Sequence, residues 1–143
     1  MIISVFDTIF QACTDAITTE QFEYRSAKLW ELNLRDDTTR PEVLWALPFD
    51  YVESENKLGL KSTRMIVQLF FLKNNQLAEH QGTKTVIVDA MHEAFKLWRA
   101  EFESNAIAPK INSYRLTDVY DEFDANRSGL TVVIDFEFRN TIC

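Results

Sequence analysis

The sequence predicts one α+β domain spanning residues 1–143, a mostly antiparallel sheet of about five strands packed against two helices in the order α-β-β-β-α-β-β. Three observations predict it. Apolar residues recur at helical spacing in two separate stretches, and elsewhere they alternate with polar residues at period two. A chain of 143 residues is also the usual size of a single domain.

The first helix is read from Ile2, Phe6, Ile9, Cys13 and Ile17, which share one stripe, with Ser4, Asp7, Gln11, Thr14 and Asp15 mostly opposite. Cys13 on that stripe reads as a small buried hydrophobe. Trp30, Leu32 and Leu34 then alternate with Glu31, Asn33 and Arg35, the period of a half-buried strand. Residues Asp36 to Thr39 suit a turn, and Pro41 opens a second strand with Val43, Trp45 and Leu47 on one face, stopped by Pro48. A long polar loop is expected from Asp50 to Ser62.

Thr63 to Leu72 is the most buried strand expected. Met65, Val67, Leu69 and Phe71 line one face, and Ile66, Phe70 and Leu72 the other around Gln68, so the strand should be covered on both sides. Asn74 and Asn75 suit the turn that follows. The second helix is expected over Thr83 to Ser104, from Ile87, Met91, Phe95, Trp98 and Phe102. A closing hairpin follows: an irregular strand Ile111 to Tyr120, a charged turn Asp121 to Gly129, and a strand in which Leu130, Val132, Ile134, Phe136 and Phe138 alternate.

Composition excludes several classes. With three glycines and three prolines among 46% hydrophobic residues, the chain is neither disordered nor collagen-like. Net charge is −7, against a dedicated nucleic-acid binder, which needs a basic stripe. The nearest basic group, Lys57, Lys61 and Arg64, is diluted by Glu53 and Glu55. Two cysteines, Cys13 and Cys143, make reduced thiols the default. The first basic residue is Arg25, so no cleavable leader is expected, and the longest nearly apolar run, Met65 to Leu72, is far short of the ~20 residues that span a bilayer.

One motif has metal-site spacing. Asp124, Asn126, Ser128, Gly129 and Asp135 fit the frame of a calcium-binding helix-loop-helix. The shorter Asp135 stands where a bidentate Glu is usual, and the exit from Leu130 has strand period, so an acidic β-turn explains the same residues. His92 and Glu93 begin a zinc-protease helix motif but position 96 is Lys, leaving Asp89, His92, Glu93 and Lys96 as a solvated face with local ion pairs. His80, beside Glu79, reads as exposed or structural. Acids gather at Asp118, Asp121, Glu122 and Asp124, where a charged turn facing water is the expected account. No Gly-x-Ser-x-Gly elbow is present, Cys13 has no histidine near it in sequence, and no catalytic residue or cofactor is called for. The surplus of aromatics, Trp30, Trp45, Phe49, Tyr51, Tyr114 and Tyr120, suggests an interaction surface, although Trp30 and Trp45 suit a core.

The order of elements resembles the tail terminator (tail completion) proteins of long-tailed bacteriophages and the related head–tail connector and neck proteins. The stretches that carry the resemblance are Arg40-Pro-Glu-Val-Leu-Trp-Ala-Leu-Pro48, the strand Met65 to Leu72 leading into the helix Thr83 to Ser104, and Phe123-Asp-Ala-Asn-Arg-Ser-Gly-Leu-Thr-Val-Val-Ile-Asp-Phe136. The resemblance implies a non-enzymatic virion protein of the tail and neck, assembled in the host cytoplasm as a self-associated six-fold ring. It would cap the tail tube protein and join head–tail connector or neck proteins, with DNA passing through unbound and no membrane involved. On that reading the loop Asp50 to Ser62, with the interface candidates Tyr51, Lys57 and Lys61, would contact tube or neck. The apolar second face of Met65 to Leu72, with Ile66 and Phe70, would supply subunit contacts, and Trp45 and Phe49 are further interface candidates. A calcium-binding module and a generic dimeric α+β protein are the alternatives.

Overall fold

The computed structural model describes residues 2–28, 41–55, 57–59, 61–74, 81–105, 108–122 and 127–139. Helix α1 (Ile2–Asp15) is followed by strands β1 (Glu23–Lys28), β2 (Glu42–Glu55) and β3 (Lys61–Asn74), helix α2 (Gln81–Ser104), and strands β4 (Lys110–Glu122) and β5 (Arg127–Arg139). The strands form one sheet in the spatial order β1-β2-β3-β5-β4. All neighbours are antiparallel except β1 and β2, which run parallel. The expected element order and the sheet-on-two-helices architecture are observed.

Both helices cover one face of the sheet, as their stripes demand. Phe6, Ile9, Phe10 and Cys13 of α1, and Met91, Ala94, Phe95, Trp98 and Phe102 of α2, are buried against Val43, Trp45, Met65, Val67, Leu69, Phe71, Leu130, Val132, Ile134 and Phe136. Phe10 sits among Trp45, Trp98, Phe102 and Phe136, with ring centroids 5.1–6.3 Å away, the spacing of favourable tilted and edge-on pairs. Trp98 and Phe102 stack at 5.4 Å, and Phe102 and Phe136 at 4.9 Å. Helix α2 begins two residues before the expected start, within the usual ambiguity of helix ends.

The described residues add a strand and correct several local expectations. The first strand lies at Glu23–Lys28, and the expected strand Trp30–Leu34 and its turn fall outside the described residues. Residues 42–47 pair with β1 on one side, and β3 holds Glu42 to Ala46 on the other. Pro48 does not stop β2. The register against β3 slips between Ala46 and Asp50, placing two extra β2 residues there, and pairing with β1 ends at Leu47. Proline, lacking an N–H, is tolerated at such a bulge on an edge.

The expected loop Asp50–Ser62 is mostly strand. Pairing runs out to Glu55 opposite Lys61, leaving residues 56–60 as the connection, with Gly59 at φ +78° for the reversal. The sequence hid this because residues 50–55 are mostly polar and lack the alternation that marks a half-buried strand. The charged turn is likewise shorter than expected: Asp121 and Glu122 end β4, and Arg127 to Gly129 begin β5. Gly129 is not a turn glycine but a strand residue opposite Leu72. A Cβ there would collide with the Phe71 carbonyl oxygen and lie 3.0 Å from Met91 Cγ, so the site admits only hydrogen.

Candidate functional site

The helices leave the opposite face of the sheet to be built by alternate strand residues. Across it, Leu44, Phe70, Thr131 and Thr117 stand in one row, Ala46, Gln68, Val133 and Arg115 in the next, and Asp50, Ile66, Asp135 and Ser113 in a third. The face changes character along the strands. At one end Leu44, Ala46, Phe70, Leu72 and Val119 form a second buried cluster. At the other, Ile66 is 40% exposed beside the Arg64–Asp135 ion pair. Asp135 accepts a hydrogen bond from the Arg64 guanidinium and holds its already high pKa higher still.

The expected contact residues therefore separate. Ile66 is exposed on the helix-free face, as an interface residue must be. Phe70 is 7% exposed and packs within its own chain, because it lies toward the Leu44 and Leu72 end. Trp45 is fully buried on the helix side, 5.1 Å from Phe10 and 6.3 Å from Phe6, because odd-numbered β2 positions before the bulge face the helices. Trp45 is a core residue in this chain and offers no contact surface. Lys57 is exposed in the turn beyond β2, next to Leu58 at 84% exposure, and Lys61 opens β3 opposite Glu55. Phe49 and Tyr51 lie in β2, and their side chains are outside those described.

The calcium-loop residues are not brought together. Ser128 and Asp135 belong to one continuous strand, seven residues and thus about 23 Å apart, too far for both to hold one ion. Ser128 is buried, Asp135 is engaged with Arg64, and Asp124 and Asn126 lie outside the described residues. Among the described residues no group of three His, Cys, Asp or Glu side chains could hold a metal.

A polar seam along the α2–β4 margin was not legible in the sequence. His92 Nε2 is 2.7 Å from Asp118 Oδ1, and Arg99 lies 4.7 Å over the Tyr114 ring while bonding its hydroxyl and, at 2.9 Å, Glu103. Phe95 meets Tyr114 edge-on at 5.4 Å. Tyr114, Leu116 and Asp118 alternate along β4 and so share the helix-facing side, the one signal available beforehand. The expected local ion pair on α2 is present, Lys96 to Glu93 at 2.9 Å, but the partner of His92 lies on another element.

Buried polar groups elsewhere are structural. Glu42, 1% exposed, pairs with Arg25 at 3.4 Å across β1 and β2. Tyr24 donates to Asp7 at 2.7 Å, tying β1 to α1, and burial followed by that bond pushes its phenol far above the usual range. Cys13 is a free thiol, fully buried, pushed up to about 12 by burial and then by Glu101. A thiol so held is neutral and a poor nucleophile. No helix among the described residues is long and apolar enough to cross a membrane. No protein-family model matches the chain, and a comparison with curated proteins returns no match.

Proposed function

We propose that the chain is a non-enzymatic structural subunit of a bacteriophage head–tail junction, a tail terminator that assembles into a ring, caps the tail tube and presents a surface to the neck. The observation that carries this reading is the two-sided use of the sheet. One face is buried by both helices, while the other ends in an exposed Ile66 framed by a charged pair. An apolar residue held on a rigid strand is what a subunit contact requires. The element order is that of the resemblance, and a net charge of −7 suits a lumen that DNA crosses without binding. The turn at Lys57 and Leu58, at the far end of the long β2–β3 hairpin, is the part assigned to tube or neck.

The test is assembly on purified tail tubes, read by electron microscopy and by native mass spectrometry. The wild type is expected to form a closed ring and to stop tube growth. Ile66→Lys is expected to stay folded and lose the ring, and replacing Lys57 and Leu58 by Ser is expected to keep the ring but lose docking. Tubes that grow unchecked in saturating wild-type protein refute the terminator reading. Docking to neck without arrest of tubes assigns the chain to the neighbouring connectors instead.

A further inference from the structure

We propose that the outer edge of β4 pairs with the same edge of a second copy of this chain, antiparallel about a two-fold axis at Leu116, joining two five-stranded sheets into one. Among the described residues, strand β4 ends the sheet order and is paired on one side only, with β5. Asn112, Ser113, Tyr114, Arg115, Thr117, Asp118 and Tyr120 are all exposed, so this edge faces solvent over most of its 13 residues. It contains neither Gly nor Pro. A long edge of this kind is a template for another strand unless something prevents pairing.

Charge chooses the occupant and its direction. The first half of β4 carries Lys110 and Arg115, and Arg99 of α2 lies over Tyr114 there. The second half carries Asp118, Asp121 and Glu122. A parallel copy would set like charges side by side, which is destabilising, whereas an antiparallel copy sets the basic half against the acidic half. The edge is therefore complementary to itself.

Register gives the axis. A two-fold at Leu116 places Lys110 opposite Glu122, Arg115 opposite Thr117 and Tyr114 opposite Asp118. Each of these pairs joins residues on the same face: Lys110, Arg115, Thr117 and Glu122 all pair with odd-numbered β5 residues, while Tyr114, Leu116 and Asp118 pair with the even-numbered, helix-facing ones. Strand β4 carries one extra residue between Ile111 and Ser113 and another between Val119 and Glu122. Positions 112 and 120 are equivalent about 116, so the two irregularities oppose each other and leave Ser113–Val119 as an unbroken ladder. Asp118, half exposed and bonded to His92, then lies across from the Tyr114 that Arg99 caps in the partner.

This contact is separate from the ring proposed above. A two-fold contact closes at two copies, whereas a ring needs two different surfaces. The experiment is sedimentation velocity of the full chain from micromolar to millimolar concentration, with Lys110→Glu, Lys110→Glu/Glu122→Lys, and Leu116→Cys in a Cys143→Ser background. Two symmetry-related like-charged pairs in Lys110→Glu are expected to weaken the dimer on the order of tenfold, and the double reversal to restore it. The Leu116→Cys variant is expected to oxidise to a disulfide-linked dimer, because directly opposed strand residues fall within disulfide reach. A wild type that stays monomeric overturns the proposal. So does a dimer indifferent to Lys110→Glu or not restored by the double variant, or one in which a foreign strand rather than a second copy takes the edge. A dimer that leaves tail tubes uncapped removes the ring reading and keeps this one; a ring insensitive to all three variants does the reverse.

Discussion

Replacing Gly129 by Ala adds one methyl group, and the structure makes it among the costliest small changes in the chain. In a flexible segment the same change stabilises by about 0.4–1 kcal/mol, because alanine restricts the unfolded chain. At Gly129 that gain is reversed. The new Cβ meets the Phe71 carbonyl oxygen across the β3–β5 ladder and Met91 beneath α2, and φ is +155°. Relief requires β5 to move off β3 or α2 to lift. Overpacking of this kind costs about 1–3 kcal/mol, and parting the strands forfeits about one ladder hydrogen bond, roughly 1 kcal/mol more. The expected destabilisation, taken from these two contributions, is about 3 kcal/mol. Gly59→Ala is the control: its nearest atom is Glu55 Oε1 at 3.7 Å, so only the φ of +78° opposes it, at about 1–2 kcal/mol. Urea unfolding followed by tryptophan fluorescence reads both. A Gly129→Ala midpoint within error of wild type, or one lowered less than that of Gly59→Ala, would show that β5 does not approach β3 as described.

Three further outcomes follow from the core and its titrating groups. Phe10→Ala empties the centre of the aromatic cluster and is expected to cost about 3–5 kcal/mol in urea, whereas Phe10→Leu costs clearly less; equal effects would refute the ring packing. The Cys13 thiol, held at about 12 against 9.0 when unfolded, contributes stability that is complete below pH 9 and is lost as pH rises toward 12. Wild type should therefore lose stability relative to Cys13→Ala across that window, at up to about 1.4 kcal/mol per pH unit, and a flat difference would contradict the burial. Ile66→Lys, at an exposed position, should shift monomer stability by no more than about 0.5 kcal/mol, and a loss of several would place Ile66 in a core instead.

Periodicity carried the architecture because both helices and the central strands are amphipathic or doubly apolar. Ile87, Met91, Phe95, Trp98 and Phe102 were legible as one stripe, and Leu130 to Phe136 as one face, since burial on one side writes itself directly into spacing. Strand β1 was not legible: Glu23 to Lys28 contains one aromatic and no aliphatic residue larger than alanine, and it is held by its parallel partner rather than by its own pattern. The polar ends of β2 and β3 were hidden for the same reason. Trp45 shows the converse limit, since composition gives a surplus of aromatics without saying which are enclosed. The His92–Asp118 contact joins residues 26 apart that meet only after α2 is laid on the sheet, and the alternation of Tyr114, Leu116 and Asp118 along β4 does not name the partner.

The position of β5 bears on how the chain acquires its fold. The last of the described strands in sequence is next to last in space, wedged between β3 and β4, and it meets β3 through pairs as distant as Ser62 and Arg139. During synthesis α1 to β3 emerge before β5, the described strand that pairs with the free edge of the apolar β3. Such non-local closure slows folding and lengthens the exposure of sticky intermediates. Substitutions along Leu130 to Phe136 are therefore expected to lower soluble yield more than their effect on the finished protein's stability accounts for.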